Sequence, residues 1–128
     1  MISNKKFVIT SIVVLLVIVG FSILLVKNSR NDSSGKYDQF ASCLTEKGAK
    51  FYGAFWCPHC RTQKKMFGKS IDKVTYIECS TSDGKNQLDV CKEAGIQSYP
   101  TWTFSDGSKE TGEVSFEKLS EKTGCQLP

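Results

Sequence analysis

Residues 51–60 read FYGAFWCPHC, and the parsing of the whole chain follows from that run. Its first six positions are aromatic or small and uncharged, which suits a short buried strand, expected over Lys50–Trp56. Pro58 is tolerated at the first position of a helix, where its missing N–H is not needed. A helix is therefore expected from Pro58 to about Phe67, with Gly68 ending it. Cys57 then falls at the helix N-cap and Cys60 one turn further in.

That placement gives the two cysteines their chemistry. Unpaired backbone N–H groups and the positive end of the helix dipole favour a thiolate at the first position. Free cysteine titrates near 8.5, and CxxC thiols at helix starts range down to about 3.5. Cys57 is expected to be exposed and nucleophilic, and Cys60, more buried, to resolve a mixed disulfide. His59, the only histidine, is expected to tune the thiolate, and Pro58 to fix the start of the helix. Trp56 is expected to shield one flank of the site. A structural zinc reading would add Cys79 and Cys91 as ligands. Zinc ribbons, however, use two close pairs with two to four residues between ligands, and Cys79 and Cys91 stand much further apart. The redox reading is preferred, with neither metal nor any cofactor beyond the Cys57–Cys60 pair.

Outward from the motif, helices and strands alternate. Tyr37, Phe40, Ala41 and Leu44 recur at helical spacing and Gly48 stops them. Lys73–Glu78 (KVTYIE) reads as a strand, and Gln87–Ala94 as a short helix closed by Gly95. Thr101–Phe104 and Lys109–Gly112 flank a Ser-Asp-Gly-Ser turn, a hairpin signal. Ser115 caps a last helix running to about Thr123, before Gly124. The order α-β-α-β-α-β-β-α predicts an α/β fold whose mixed sheet is flanked by helices. Phe51, Phe55, Phe67 and Phe104 are expected in its core. Ser98-Tyr99-Pro100-Thr101 precedes the hairpin and is expected to face the CxxC. A cis bond at Pro100 would turn the Tyr99 backbone toward the thiols, to pair with an extended substrate.

The N-terminal part differs in kind. Residues 7–26 form an uncharged run, FVITSIVVLLVIVGFSILLV, which as a helix would be roughly 30 Å long. It exceeds the apolar stretch of a cleaved signal peptide, about 7–15 residues, and no Ala-x-Ala site follows. The chain is accordingly divided into a cytoplasmic terminus (1–6), a transmembrane anchor (7–26), a Ser/Gly-rich linker (27–36) and a folded domain (37–128). Lys5, Lys6, Lys27 and Arg30 account for the entire formal charge of +4. The folded domain has no basic surplus, which argues against nucleic acid as a partner. Six cysteines suit an oxidising compartment, so the domain is expected outside the cytoplasm on a single-pass membrane protein.

These features together resemble the thioredoxin superfamily: FWCPHC at residues 55–60, GIQSYPT at 95–101, the Asp-Gly hairpin and the last helix. More narrowly, FYGAFWCPHC, the Cys79 and Cys91 pair and the Cys43 and Cys125 bookends resemble one subgroup. This is the thioredoxin-like domain associated with bacterial homologues of vitamin K epoxide reductase. The resemblance implies that Cys57 and Cys60 are the redox pair and that Pro100 is cis. It also implies passage of electrons from cysteine-containing secreted proteins to a quinone-linked membrane partner. A single transmembrane helix cannot build a quinone site, so that partner must be a separate chain. The position six before the first cysteine holds Phe51, where thioredoxins place a buried Asp; this weakens a general thioredoxin-type reductase and fits an oxidant, with a reductase or isomerase using the same CxxC as the alternative. A large helical insertion of the DsbA type does not fit between Cys60 and Pro100.

Four further cysteines allow three pairings. A Cys79–Cys91 bond would close a polar loop, worth roughly 3 kcal/mol in the chain-entropy account. A Cys43–Cys125 bond would tie the first and last helices of the domain together. The resemblance favours this set as structural disulfides. A non-catalytic thioredoxin-fold adaptor or metal carrier is the reading of a different class.

Overall fold

The computed structural model describes residues 2–28 and 35–128, and within the first helix the side chains of residue 4 and residues 7–22. Two compact units result, one over Met1–Ser33 and one over Ser34–Pro128.

The first unit is a single helix, α1 (Ile2–Asn28), whose described side chains at 7–22 are all exposed. Among the described residues, no helix is long and apolar enough to cross a membrane. Residues 7–22 would cover about 24 Å at 1.5 Å per residue, less than a hydrocarbon core of about 30 Å. The anchor expected over 7–26 ends in four residues whose side chains lie outside the described residues, as do residues 29–34 of the expected linker.

The second unit runs α2 (Asp38–Glu46), β1 (Lys50–Gly53), α3 (Pro58–Phe67), a 3-10 turn (Gly68–Lys73), β2 (Tyr76–Glu78), α4 (Asp89–Glu93), β3 (Thr101–Thr103), β4 (Lys109–Thr111) and α5 (Phe116–Thr123). The sheet order is β2-β1-β3-β4. Strand β1 pairs parallel with β2 and antiparallel with β3, which pairs antiparallel with β4. The α/β order and the closing hairpin expected from the sequence are therefore present.

Alternation along β1 divides the interior. Phe51, fully buried, stacks on Trp102 with ring centroids 5.1 Å apart and meets Tyr76 edge-on at the same separation. Phe40, Leu44, Phe67, Val114 and Leu119 complete this larger cluster, which also holds Cys57 and Cys60. Tyr52 points the other way, into a smaller cluster with Cys79, Cys91 and Ile96.

The strands are shorter than the sequence suggests. Strand β1 stops at Gly53, because Ala54 turns the chain toward the helix and its carbonyl accepts from the Cys57 N–H (3.0 Å). Phe55, expected in the core, lies beyond that exit and is 52% exposed. Phe51, Phe67 and Phe104 are buried as expected. Helix α3 ends at Gly68, which takes φ +55°, and continues as the 3-10 turn that the sequence reading missed. That turn buries Ser70, whose hydroxyl accepts from the Tyr37 N–H at the start of α2 (3.0 Å).

Candidate active site

Helix α3 presents the two cysteines from its first turn. Cys57 is the N-cap in extended geometry, and its sulfur accepts from the Cys60 N–H at 3.2 Å. Pro58 occupies the first helical position, where it sacrifices no intrahelical bond. Neither thiol is bonded in a disulfide.

One expectation is corrected here: Cys57 is not exposed but only 3% accessible, against 1% for Cys60. The capping geometry is the cause. To accept from Cys60 the sulfur folds back over the first turn and joins the apolar cluster. The exposed surface at the site belongs instead to Phe55, Trp56, Pro58 and His59. Trp56 donates from Nε1 to Ser80 Oγ (2.9 Å) and meets Tyr99 edge-on, centroids 5.9 Å apart. The loop preceding β3 therefore lies beside the CxxC motif. Its Tyr99–Pro100 bond is cis and Pro100 is fully buried. Gln87 Nε2 donates to the Tyr99 hydroxyl (2.9 Å), holding the ring from the far side.

The two thiols differ in environment. Burial first, and then the hydrogen bond with Cys57, push the Cys60 thiol up to about 12, against smaller lowering effects from Ala54 and the Lys64 charge. At neutral pH Cys60 is a neutral thiol.

His59 does not turn to the sulfur. Its Nδ1 lies 2.6 Å from Glu113 Oε1, with the ring 70% exposed. The structure pairs His59, expected to tune Cys57, with Glu113. Glu113 went unnoticed in the sequence, since it lies far downstream with no motif around it. Gln63 was missed as well. Fully buried, it accepts from the Val114 N–H (2.7 Å) and donates to the Val114 carbonyl (3.0 Å). That paired bond fixes the segment carrying Glu113 against α3.

The other four cysteines are bonded as Cys43–Cys125 and Cys79–Cys91. Cys79 and Cys91 are therefore not available as zinc ligands beside Cys57 and Cys60. Among the described residues no group of three or more His, Cys, Asp or Glu is placed to hold a metal ion.

A thioredoxin family model matches residues 36–123. The chain belongs to the thioredoxin family. A thiol-disulfide oxidoreductase of Arabidopsis thaliana, LTO1, is 42% identical over 91 residues, covering 68% of this chain and 24% of that protein. A protein disulfide-isomerase of Arthroderma benhamiae is 31% identical over 99 residues, covering 68% of this chain and 19% of that protein. The chain thus spans a quarter or less of the length of these relatives. Among solved structures, oxidised thioredoxin O2 of Arabidopsis thaliana aligns with a TM-score of 0.37 at 21% identity, over 64% of this chain and 81% of that one.

Proposed function

We propose that the chain is a membrane-anchored, extracytoplasmic oxidant of cysteines in secreted or membrane proteins, with Cys57 as the attacked sulfur and Cys60 as its resolving partner. The observation that carries this reading is the contrast among the six cysteines: four are bonded to each other, while the two in the CxxC are free, adjacent and capped by the helix they begin. In the oxidised enzyme a substrate thiolate attacks the Cys57 sulfur. The Cys57–Cys60 bond breaks, and its electron pair leaves on Cys60. The substrate's second thiolate then attacks the mixed disulfide and releases Cys57 as a thiolate. Trp56 and Tyr99 form the flank along which the substrate lies, and Pro100 shapes the loop that faces it.

Location outside the cytoplasm is supported by the two structural disulfides, which persist in oxidising compartments. Anchoring is supported by α1, which is apolar on every side over residues 7–22 apart from Thr10, Ser11 and Ser22. The Ser22 hydroxyl donates to the Ile18 carbonyl (2.8 Å), which satisfies it without water. Re-oxidation falls to a separate quinone-linked membrane protein of the vitamin K epoxide reductase type. Isomerase activity with the same thiols is the second reading, favoured by the relative that bears that name.

Substitution and potentiometry test this together. Cys57→Ser abolishes exchange with a reduced substrate, and Cys60→Ser accumulates mixed disulfides through Cys57. A reduction potential near −120 mV supports the oxidant, and one near −270 mV assigns the chain to reduction. Full exchange in both variants refutes the site.

A further inference from the structure

Phe51 leaves the thioredoxin-type site without its buried carboxyl, yet the neutral Cys60 thiol must lose or gain a proton in every exchange cycle. The neighbouring strand supplies another route. Tyr76 pairs with Phe51 in the parallel register, so it shares the α3-facing side of the sheet, and Glu78 two residues on shares that side too. The Tyr76 hydroxyl donates to Glu78 Oε2 at 2.7 Å. Glu78 Oε1 accepts from the Phe55 and Ser80 N–H groups (3.1 and 2.9 Å), which fixes the carboxylate beside the loop leading to Cys57.

Between this pair and Cys60 stands Gly53. A Cβ built there would lie 3.0 Å from the Cys60 sulfur, 3.1 Å from Tyr76 Cε2 and 3.3 Å from the Tyr76 oxygen. The thiol and the phenol therefore converge on one point, and only a glycine leaves that point open. Lys64 Nζ sits 3.4 Å above the Tyr76 ring centroid and holds its other face.

We propose that Tyr76 and Glu78 form the proton relay of Cys60, with Gly53 keeping the path clear; this rests on the exchange reading above. When Cys60 attacks a mixed disulfide at Cys57, its proton passes to the Tyr76 oxygen while the Tyr76 proton passes to Glu78. The Cys60 sulfur then bonds to Cys57, and the departing thiolate takes the electron pair of the broken bond. In the oxidising direction Cys60 leaves as a thiolate and recovers a proton from Tyr76, which is refilled from solvent by way of Glu78. Glu78 is partly exposed and so exchanges with solvent. The charged and titratable groups facing Cys60 are Cys57 at the N-cap, Lys64 on α3 and Tyr76 on β2, with Glu78 bonded to Tyr76 behind it. Burial and the bond to Glu78 raise the Tyr76 phenol well above its ordinary range, so it passes protons without resting as a phenolate.

The test uses the full chain with Cys57 and Cys60 reduced, mixed with excess of the aromatic disulfide 5,5′-dithiobis(2-nitrobenzoate). Attack by Cys57 releases one coloured thiolate, and attack by Cys60 on the resulting mixed disulfide releases a second. Tyr76→Phe, which keeps the ring, and Glu78→Gln, which keeps an acceptor, leave the first release unchanged. Each slows the second about tenfold or more near neutral pH, the usual scale of a lost acid–base partner. The deficit narrows as the pH rises toward about 10, where hydroxide takes the proton directly. A second release within about twofold of the parent in both variants, or a slowing equal at every pH, overturns the relay. Absence of the first release in the parent chain overturns the exchange reading, and the relay with it.

Discussion

The two faces of the sheet are built by different means. On one, Phe40, Phe51, Phe67, Phe116 and Trp102 pack ring against ring, with Phe67 and Phe116 centroids 4.7 Å apart. On the other, the cluster has four buried residues, Tyr52, Ile96 and the bonded pair Cys79 and Cys91. Aromatic rings supply most of the buried apolar area of the first face, which the Cys43–Cys125 bond also ties. The cluster of four buries less, and its disulfide restricts the unfolded chain. The reactive thiols sit on the aromatic side together with the Cys43–Cys125 bond, while the Cys79–Cys91 bond sits on the other, so the sheet separates redox turnover from that second disulfide.

Breaking the aromatic side has the largest expected effect. Phe67→Ala removes a ring that touches Phe40, Trp102 and Phe116, and costs about 3–5 kcal/mol in denaturant unfolding. A smaller loss than that caused by removing the Cys79–Cys91 bond would invert the comparison. Replacing Cys79 and Cys91 together with alanine costs roughly 3 kcal/mol, while exchange at Cys57 continues at the parent rate. A parallel fall in exchange would show that the two faces are coupled.

A smaller effect separates the redox states. Burial keeps the Cys60 thiol neutral up to about 12, whereas the unfolded chain loses that proton near the ordinary 9.0. Above pH 9 the folded reduced chain therefore holds more protons than the unfolded one. Its stability falls with rising pH by up to about 1.4 kcal/mol per unit, until Cys60 itself ionises. The oxidised chain, with no thiol at that position, lacks this slope. Unfolding curves of both redox states across the alkaline range check it, and parallel curves would place Cys60 in an ordinary environment.

Much of the fold was readable in local signals. Pro58, Gly68, Ser115 and Gly124 mark helix ends, and the structure places α3 and α5 at those marks, with Ser115 Oγ accepting from the Lys118 N–H. The Asp-Gly turn located the hairpin of β3 and β4. Strand ends were less readable, because Ala54-Phe55-Trp56 has the composition of a strand and leaves the sheet only where the chain must turn into α3. The site divided in the same way. Cys57, Cys60 and Pro100 stand in motifs, whereas Glu113, Gln63, Tyr76 and Glu78 reach the site through pairings across the sheet and between distant segments.

Taken alone, the sequence determined the helix that begins at Pro58, the sulfur at its cap and the alternation of strands and helices. Each of these depends on neighbours within a turn or two of the chain. Only the tertiary structure decided that the Cys57 sulfur is covered, that His59 pairs with Glu113 rather than with a thiol, and that Tyr76 and Glu78 stand across Gly53 from Cys60. Those outcomes follow from sheet register and helix docking, which bring together residues that share no local pattern.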